Sequence, residues 1–372
     1  MKKLQIRKGV QAYEILKLIG YVKEYPRRNL KLLAGENQWV IRAVRKLVNE
    51  GYIKIGTIRK TRTLRLPKKG RQALVDAGVH FKMQISGVNQ SGNVLSVERA
   101  HRIAEVITVC KRAGIKVYPE ELAPEHLSGG PPSLWLSSAL RAEAHLKDSK
   151  ITSGYIGVLS IGNTGYIVYN TGRKLMFWPT AVEYQVQASI YTGYAKKVDR
   201  FLVFGEPNSI VTLNDKNGKR RSTLLPGIFQ NENTQQIRVD NGMQHLHFIE
   251  LSENGIRLLQ LMQDEYWMQL TYFILSEEEI EGKPNDIVCD GKHADGRPIL
   301  LLFDMDLVRL KMFISRITES GILAAKILCF DWQKESISKL IGDVAKIELD
   351  FYSFEQIEHA FYEEREAHTH EK

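Results

Sequence analysis

The sequence lacks most features that would mark an enzyme or a secreted protein. Its three cysteines, Cys110, Cys289 and Cys329, are scattered over 372 residues with no CxxC spacing. That argues against a disulfide framework and against a cysteine-based metal site. Cys289 and Cys329 lie in apolar runs that read as buried strands, where a thiol behaves as a small hydrophobe. No stretch approaches about 18 uncharged apolar residues, so no transmembrane helix and no membrane partner are expected. The opening MKKLQIRKGV is basic but no apolar segment follows it, so it does not read as a signal peptide. The expected compartment is a reducing cytoplasm. There is no P-loop, no GxGxxG after a strand and no GxSxG elbow, and no cofactor is expected.

What the chain does have is an uneven distribution of charge. The whole carries +9, but residues 1–83 hold 21 Lys/Arg against five Asp/Glu, a net of +16, which leaves −7 for the other 289 residues. A basic module joined to a mildly acidic body is a usual footprint of nucleic-acid binding. The chain is long enough for two or three domains with their own cores.

The basic module has a readable shape. Tyr13, Leu16, Ile19 and Gly20 recur at helical spacing, which predicts a first helix over 10–24 that Pro26 stops. A short second helix points Leu30 and Leu33 inward, and a turn at Ala34–Asn37 leads to a third helix, Gln38–Glu50, closed by Gly51. Val40, Val44, Leu47 and Val48 line one face of that helix, with Ile41 beside them. Gln38, Trp39, Arg42, Arg45, Lys46 and Asn49 fall on the other face. Arginine can bond guanine bidentately and an amide can do the same to adenine, while lysine tends to meet phosphate. A hairpin with strands near Tyr52–Ile55 and Thr63–Leu66 adds Lys54, Arg59, Lys60 and Arg62, with Arg65, Lys68, Lys69 and Arg71 close behind. Clustered like charges repel across a strand pair, and a phosphate backbone or minor groove would relieve that repulsion. The run Val40-x3-Val44-x2-Leu47-x3-Gly51-Tyr52-Ile53 followed by a basic hairpin resembles the winged helix-turn-helix superfamily of bacterial regulators. The resemblance implies duplex DNA as partner.

Beyond the module the pattern is α/β. Ser86–Val94 reads as a linker, Ser96–Gly114 as an amphipathic helix, and residues 119–133 as a Pro/Gly-rich connector. His101 and His126 lie near acids without ligand spacing and read as packing or surface residues. A hairpin (Tyr155–Leu159 and Tyr166–Tyr169), a helix (Ala181–Tyr194) and a strand (Phe201–Phe204) follow. A similar order returns as strands Ile287–Cys289 and Ile299–Phe303, helix Leu307–Ser320 and strand Ala325–Phe330. Helix Lys334–Leu340, strand Ala345–Leu349 and helix Phe354–Glu364 complete it, with a frayed tail. The repeated order suggests an old duplication. Expected domains are therefore 1–83, DNA binding; 84–132, linker and connecting helix; 133–270, a first α/β unit; and 271–372, a second α/β unit with a C-terminal helix.

The second unit has the element order of a PD-(D/E)xK nuclease core, in which two carboxylates bind Mg²⁺ and a lysine orients water. Asp286 precedes one strand and Asp304-Met305-Asp306 follows the next, but the lysine position is Asp306, with Lys311 as a conceivable substitute. Without that lysine the three aspartates read as structural or vestigial. His245-x-His247 would share one face of a strand, yet has no third ligand nearby in sequence, so no metal site is expected.

A DNA-binding module followed by a degenerate, restriction-endonuclease-like α/β body resembles the replication-relaxation proteins of plasmids and conjugative elements. The residues that carry this are the winged-helix run, the helix holding His101, the Tyr155–Tyr169 hairpin and the Asp286/Asp304 strand pair. The family implies a non-enzymatic protein that binds double-stranded DNA of a mobile element and assists replication or transfer, alongside other replication or transfer proteins. A homodimer is left open. The alternatives are a transcriptional regulator whose α/β body senses a ligand or dimerises, and a metal-dependent nuclease.

Overall fold

In the computed structural model, residues 6–58, 61–79, 94–123, 129–143, 155–172, 198, 200–207, 209, 213–214, 220–221, 245–270, 273–274, 289–293, 295–342 and 346–370 are described. The basic run forms helices and a small sheet. Helix α1 (Gln11–Val22) buries Tyr13, Leu16 and Ile19. Tyr25–Pro26 is a short strand, β1, and after it α2 (Leu30–Ala34) ends at Gly35, whose φ of 54° is costly for any residue with a Cβ. Asn37 caps α3 (Gln38–Asn49), its side-chain oxygen accepting from the Trp39 amide at 2.9 Å. Val40, Val44 and Leu47 turn inward. Gly51 (φ 75°) reverses the chain so that the Tyr52 and Ile53 amides both donate to the Leu47 carbonyl. Strands β2 (Lys54–Ile58) and β3 (Thr61–Arg65) then pair antiparallel, and β1 adds to the far side of β3. The strands sit nearer the hairpin tip than the sequence pattern suggests. Tyr52 and Ile53 are used to close α3, while buried Ile58 holds the pairing out to Ile58↔Thr61. Helix α4 (Lys68–Asp76) packs back through Leu74.

Helix α5 (Val94–Arg112) starts two residues before the expected Ser96 and is not a one-faced amphipathic helix. Ala104, Val106, Ile107, Thr108, Val109 and Cys110 are all fully buried, because the N-terminal elements pack on one side and a sheet on the other. Polar residues inside this helix are satisfied. Thr108 Oγ1 donates to the Ala104 carbonyl at 2.7 Å and meets Tyr25 Oη at 3.1 Å.

That sheet contains β4 (Ser133–Leu136), β5 (Tyr155–Ile161), β6 (Thr164–Gly172), β7 (Arg200–Gly205) and, after a ribbon of β8 (Leu213–Asn214) and β9 (Arg220–Arg221), β10 (His245–Glu250). Its order is β10-β7-β6-β5-β4, antiparallel through β4, β5 and β6 and parallel through β6, β7 and β10. Helix α6 (Ser137–Glu143) follows β4, and α7 (Glu253–Leu261), which the sequence reading missed, follows β10 behind a Ser252 cap. The second sheet is β11 (Gly291–Lys292), β12 (Pro298–Leu301), β13 (Ala324–Phe330) and β14 (Lys346–Tyr352) in that spatial order, antiparallel once and then parallel. Helices α8 (Leu307–Glu319) and α9 (Lys334–Ile341) are its crossovers, and α10 (Phe354–His370) closes it. The chain is thus α/β with mixed sheets.

Strand residues alternate between two cores. Leu202, Phe204 and Ile249 face the core shared with α5, whereas Phe201, Val203 and Phe248 join Leu300, Phe313 and Ile327 on the other side. The final helix runs past the expected end at Glu364. Phe354 stacks on Phe330 at 4.4 Å, Phe361 meets Tyr266, and Arg365 pairs with Asp264. The expected helix Ala181–Tyr194, His126, Asp286, and the linker Ser86–Val94 apart from Val94 lie outside the described residues. Among the described residues no helix is long and apolar enough to cross a membrane.

Candidate nucleic-acid interface

Amphipathicity of α3 fixes what it presents outward. With Val40, Val44 and Leu47 buried, Gln38, Trp39, Arg42, Arg45 and Asn49 are exposed and Lys46 is half-buried, its Nζ 3.8 Å from Glu50 Oε1. The face runs for about 16 Å at 1.5 Å per residue. Trp39 stands 66% exposed in the first turn, and the Arg42 guanidinium lies 5.2 Å from its ring centre. A guanidinium stacked on an indole loses rotamer freedom but keeps its N–H edge for a partner. Lys54 on β2 and Arg62 on β3 are also exposed. Arg59 and Lys60, between those strands, lie outside the described residues.

Other cations of the run are consumed by the fold. Arg65 Nε donates to Glu24 Oε2 at 2.7 Å, and the same carboxylate accepts from Thr63 Oγ1 at 2.8 Å. Lys69 Nζ donates to the Glu50 carbonyl and lies 4.3 Å over the Tyr52 ring, pinning the start of the hairpin. Arg28 reaches out of the basic module to Glu105 at 2.7 Å and Glu206 at 3.1 Å. Buried Glu105 also accepts from Asn170 Nδ2 at 3.0 Å, so one carboxylate joins the N-terminal elements, α5 and the first sheet. His101, expected as a packing or surface residue, is buried with Nε2 at 3.2 Å from Thr63 Oγ1. Burial, and then the nearby Arg28, Arg65 and Arg102, bring its pKa down to about 4.

A cleft of about 1080 Å³ opens between α2, the turn before α3 and the body. Its arginines are matched: Arg28 as above, Arg112 with Glu253, and Arg257 with Glu355 at 2.8 Å. Balanced charge makes it a poor phosphate site, whereas Arg42 and Arg45 on α3 are exposed.

The aspartates and histidines set aside by sequence reasoning meet where the two sheets abut. Asp306 caps α8, its Oδ1 accepting from Val308 N (3.0 Å), Arg309 N (3.3 Å) and, across the joint, Leu246 N (3.2 Å). Its Oδ2 lies 2.6 Å from His245 Nδ1, and Asp304 Oδ2 lies 3.3 Å from His247 Nδ1. Met305 between them adopts φ 52°, and its carbonyl accepts from Phe248 N at 3.2 Å. Burial would raise the Asp304 pKa, but the His247 imidazole and the Arg309 guanidinium hold it below the carboxylate range. His247 titrates above its usual value because Asp304 outweighs its burial. The cation that reaches the acids is Arg309, bonded to Asp290 at 2.6 Å. Burial lowers the pKa of Lys311, the residue proposed as a substitute lysine. One potential ligand atom from each of His245, His247 and Asp306 lies within 4.8 Å of the others. The third potential ligand atom absent near the histidines in sequence comes from Asp306, 59 residues beyond His247. No protein-family model, curated protein or solved structure matches the chain.

Proposed function

We propose that the chain is a non-catalytic double-stranded DNA-binding protein whose N-terminal module is a winged helix. In this reading α3 enters the major groove and the β2–β3 hairpin lies along the backbone or minor groove. The observation that carries it is the sorting of cations. Arg28, Arg65 and Lys69 are tied to acceptors within the fold, while Arg42 and Arg45 are exposed on one helix face with Gln38, Trp39 and Asn49. An exposed row of guanidinium and amide groups matches the donor and acceptor edges of base pairs. The unsupported cost of exposing Trp39 is recovered if its ring meets a thymine methyl group or the sugar–phosphate wall.

The aspartates of the second unit support a non-catalytic role. Asp306 stands with two imidazoles and not with a second free carboxylate, and Asp290 is bonded to Arg309, so the two carboxylates and lysine of a Mg²⁺ nuclease are not assembled among the described residues. A two-carboxylate Mg²⁺ site needs acids free to take the ion. The resemblance to replication-relaxation proteins makes origin or transfer-region DNA of a mobile element the target to try first.

Selection of bound duplexes from a randomised pool tests the reading. Arg42→Ala should relax preference at one or two positions, whereas Lys60→Ala should weaken binding to all sequences alike. Failure of the intact chain to retain any duplex at low salt refutes it, and a footprint on a promoter instead of an origin turns it into a transcriptional regulator.

A further inference from the structure

We propose that His245, His247 and Asp306 bind a late first-row divalent cation of the Zn²⁺ class, fastening the two sheets together. The three residues come from different elements. The histidines alternate on β10, so both rings fall on the same face, stacked at 5.9 Å and 16°. Asp306 arrives at the N-terminus of α8, brought into register by the His247↔Asp306 bridge. Two imidazoles and one carboxylate are donors suited to Zn²⁺ and poorly suited to Mg²⁺ or Ca²⁺, which favour oxygen.

Asp306 and His247 are already oriented by neighbours. Asp306 Oδ1 is saturated by three backbone amides, which fixes the carboxylate and leaves Oδ2 for the ion. Asp304 engages Nδ1 of His247, and the opposite nitrogen, Nε2, is buried with no hydrogen-bond partner although the residue is only 1% exposed. A carboxylate on one imidazole nitrogen with the other left for metal is the usual outer-shell arrangement of metal-binding histidine. Without an ion that nitrogen is a buried polar group with no partner, which folded proteins rarely leave so. A tetrahedral ion with bonds of about 2.1 Å needs donors about 3.4 Å apart, so side-chain rotations must close the widest pair by up to about 1.4 Å and open the 2.6 Å His245–Asp306 pair by about 0.8 Å. The ion would displace the hydrogen between His245 and Asp306 Oδ2, and the 22% exposed His245 side chain gives a route in and a place for a water ligand.

Nothing in this depends on DNA binding.

The test uses the full chain, stripped with chelator and then freed of it. Zn²⁺ titration by calorimetry and Co²⁺ titration by visible absorption should each give one equivalent, with Co²⁺ bands of a tetrahedral nitrogen and oxygen site. His245→Ala and His247→Ala should each weaken binding at least tenfold, and Asp304→Asn by about 10–100-fold as an outer-shell partner. His368→Ala/His370→Ala, which removes a histidine pair in the C-terminal sequence, should leave binding intact. If His247→Ala does not fold, His245→Gln at the more exposed position carries the same expectation. Absence of a stoichiometric site, binding undiminished in the His245 and His247 variants, or binding lost in the His368/His370 variant overturns the proposal.

Discussion

Arg62 and Arg65 sit three residues apart on one strand, yet the structure gives them opposite work. Arg62 is exposed, whereas Arg65 is half-buried and bonded to buried Glu24. If Lys54, Arg59, Lys60 and Arg62 neutralise phosphates while α3 meets base edges, log K should fall with log salt at a slope of about −3.6, a loss of more than about a hundredfold between about 50 and 200 mM. Arg62→Ala should flatten that slope by about 0.9 and leave the denaturation midpoint in place. Arg65→Ala should leave the slope unchanged. It strands the Glu24 carboxylate, which is 8% exposed and keeps only Thr63 as a side-chain donor, at a cost of about 2–3 kcal/mol. The assay is anisotropy of a labelled duplex over a salt series, paired with urea denaturation of each variant. Should Arg65→Ala flatten the slope as much as Arg62→Ala while keeping full stability, the sorting of cations into free and structural would be wrong.

Trp39→Ala removes a side chain that the fold does not bury, so DNA affinity should drop about tenfold or more with no fall in thermal midpoint. Tryptophan emission should also change on adding duplex to the native chain but less in this variant. His101, held at a pKa of about 4 in the fold, stays neutral while the unfolded chain takes up a proton below about pH 6.5. Stability contributed here is present above pH 6.5 and lost as pH falls towards 4, by about 3 kcal/mol at the lower end. His101→Asn should flatten the pH dependence of unfolding in that window. Glu105→Ala deletes a partner shared by Arg28 and Asn170, which keep Glu206 and the Arg102 carbonyl, and urea denaturation should show a loss of about 1–3 kcal/mol, most of it from lost packing and one buried hydrogen bond, since Arg28 is itself half exposed.

The legible parts of this chain were those in which local pattern and tertiary demand coincide. Helix α3 is written in Asn37, the Val40–Val44–Leu47 stripe and Gly51, because cap, buried face and terminator are all local signals. The Tyr155–Tyr169 hairpin announced itself likewise, through Gly162–Gly165 between apolar strands. The burial of Glu105 had no local signal, because its partners Arg28 and Asn170 lie 77 and 65 residues away. Arg65 looked like one more free cation for the same reason: its partner lies 41 residues back. The histidine–aspartate joint was hidden most completely. His245-x-His247 is visible as a pair, but a ligand set split between β10 and the start of α8 has no spacing to detect.

Helix α5 lies between the N-terminal helices and the first sheet, with Glu105 bonded in both directions. If α3 enters the major groove as proposed, a body attached in this way follows it round the duplex. Its compass bearing about the DNA axis is then set by where α3 sits in the groove. Two molecules on sites a whole number of turns apart, about 10.5 base pairs each, would stand on the same side and could touch, and a half-turn insertion would set them back to back. The helical phase of paired sites, as much as their sequence, would then decide whether neighbouring bodies assemble.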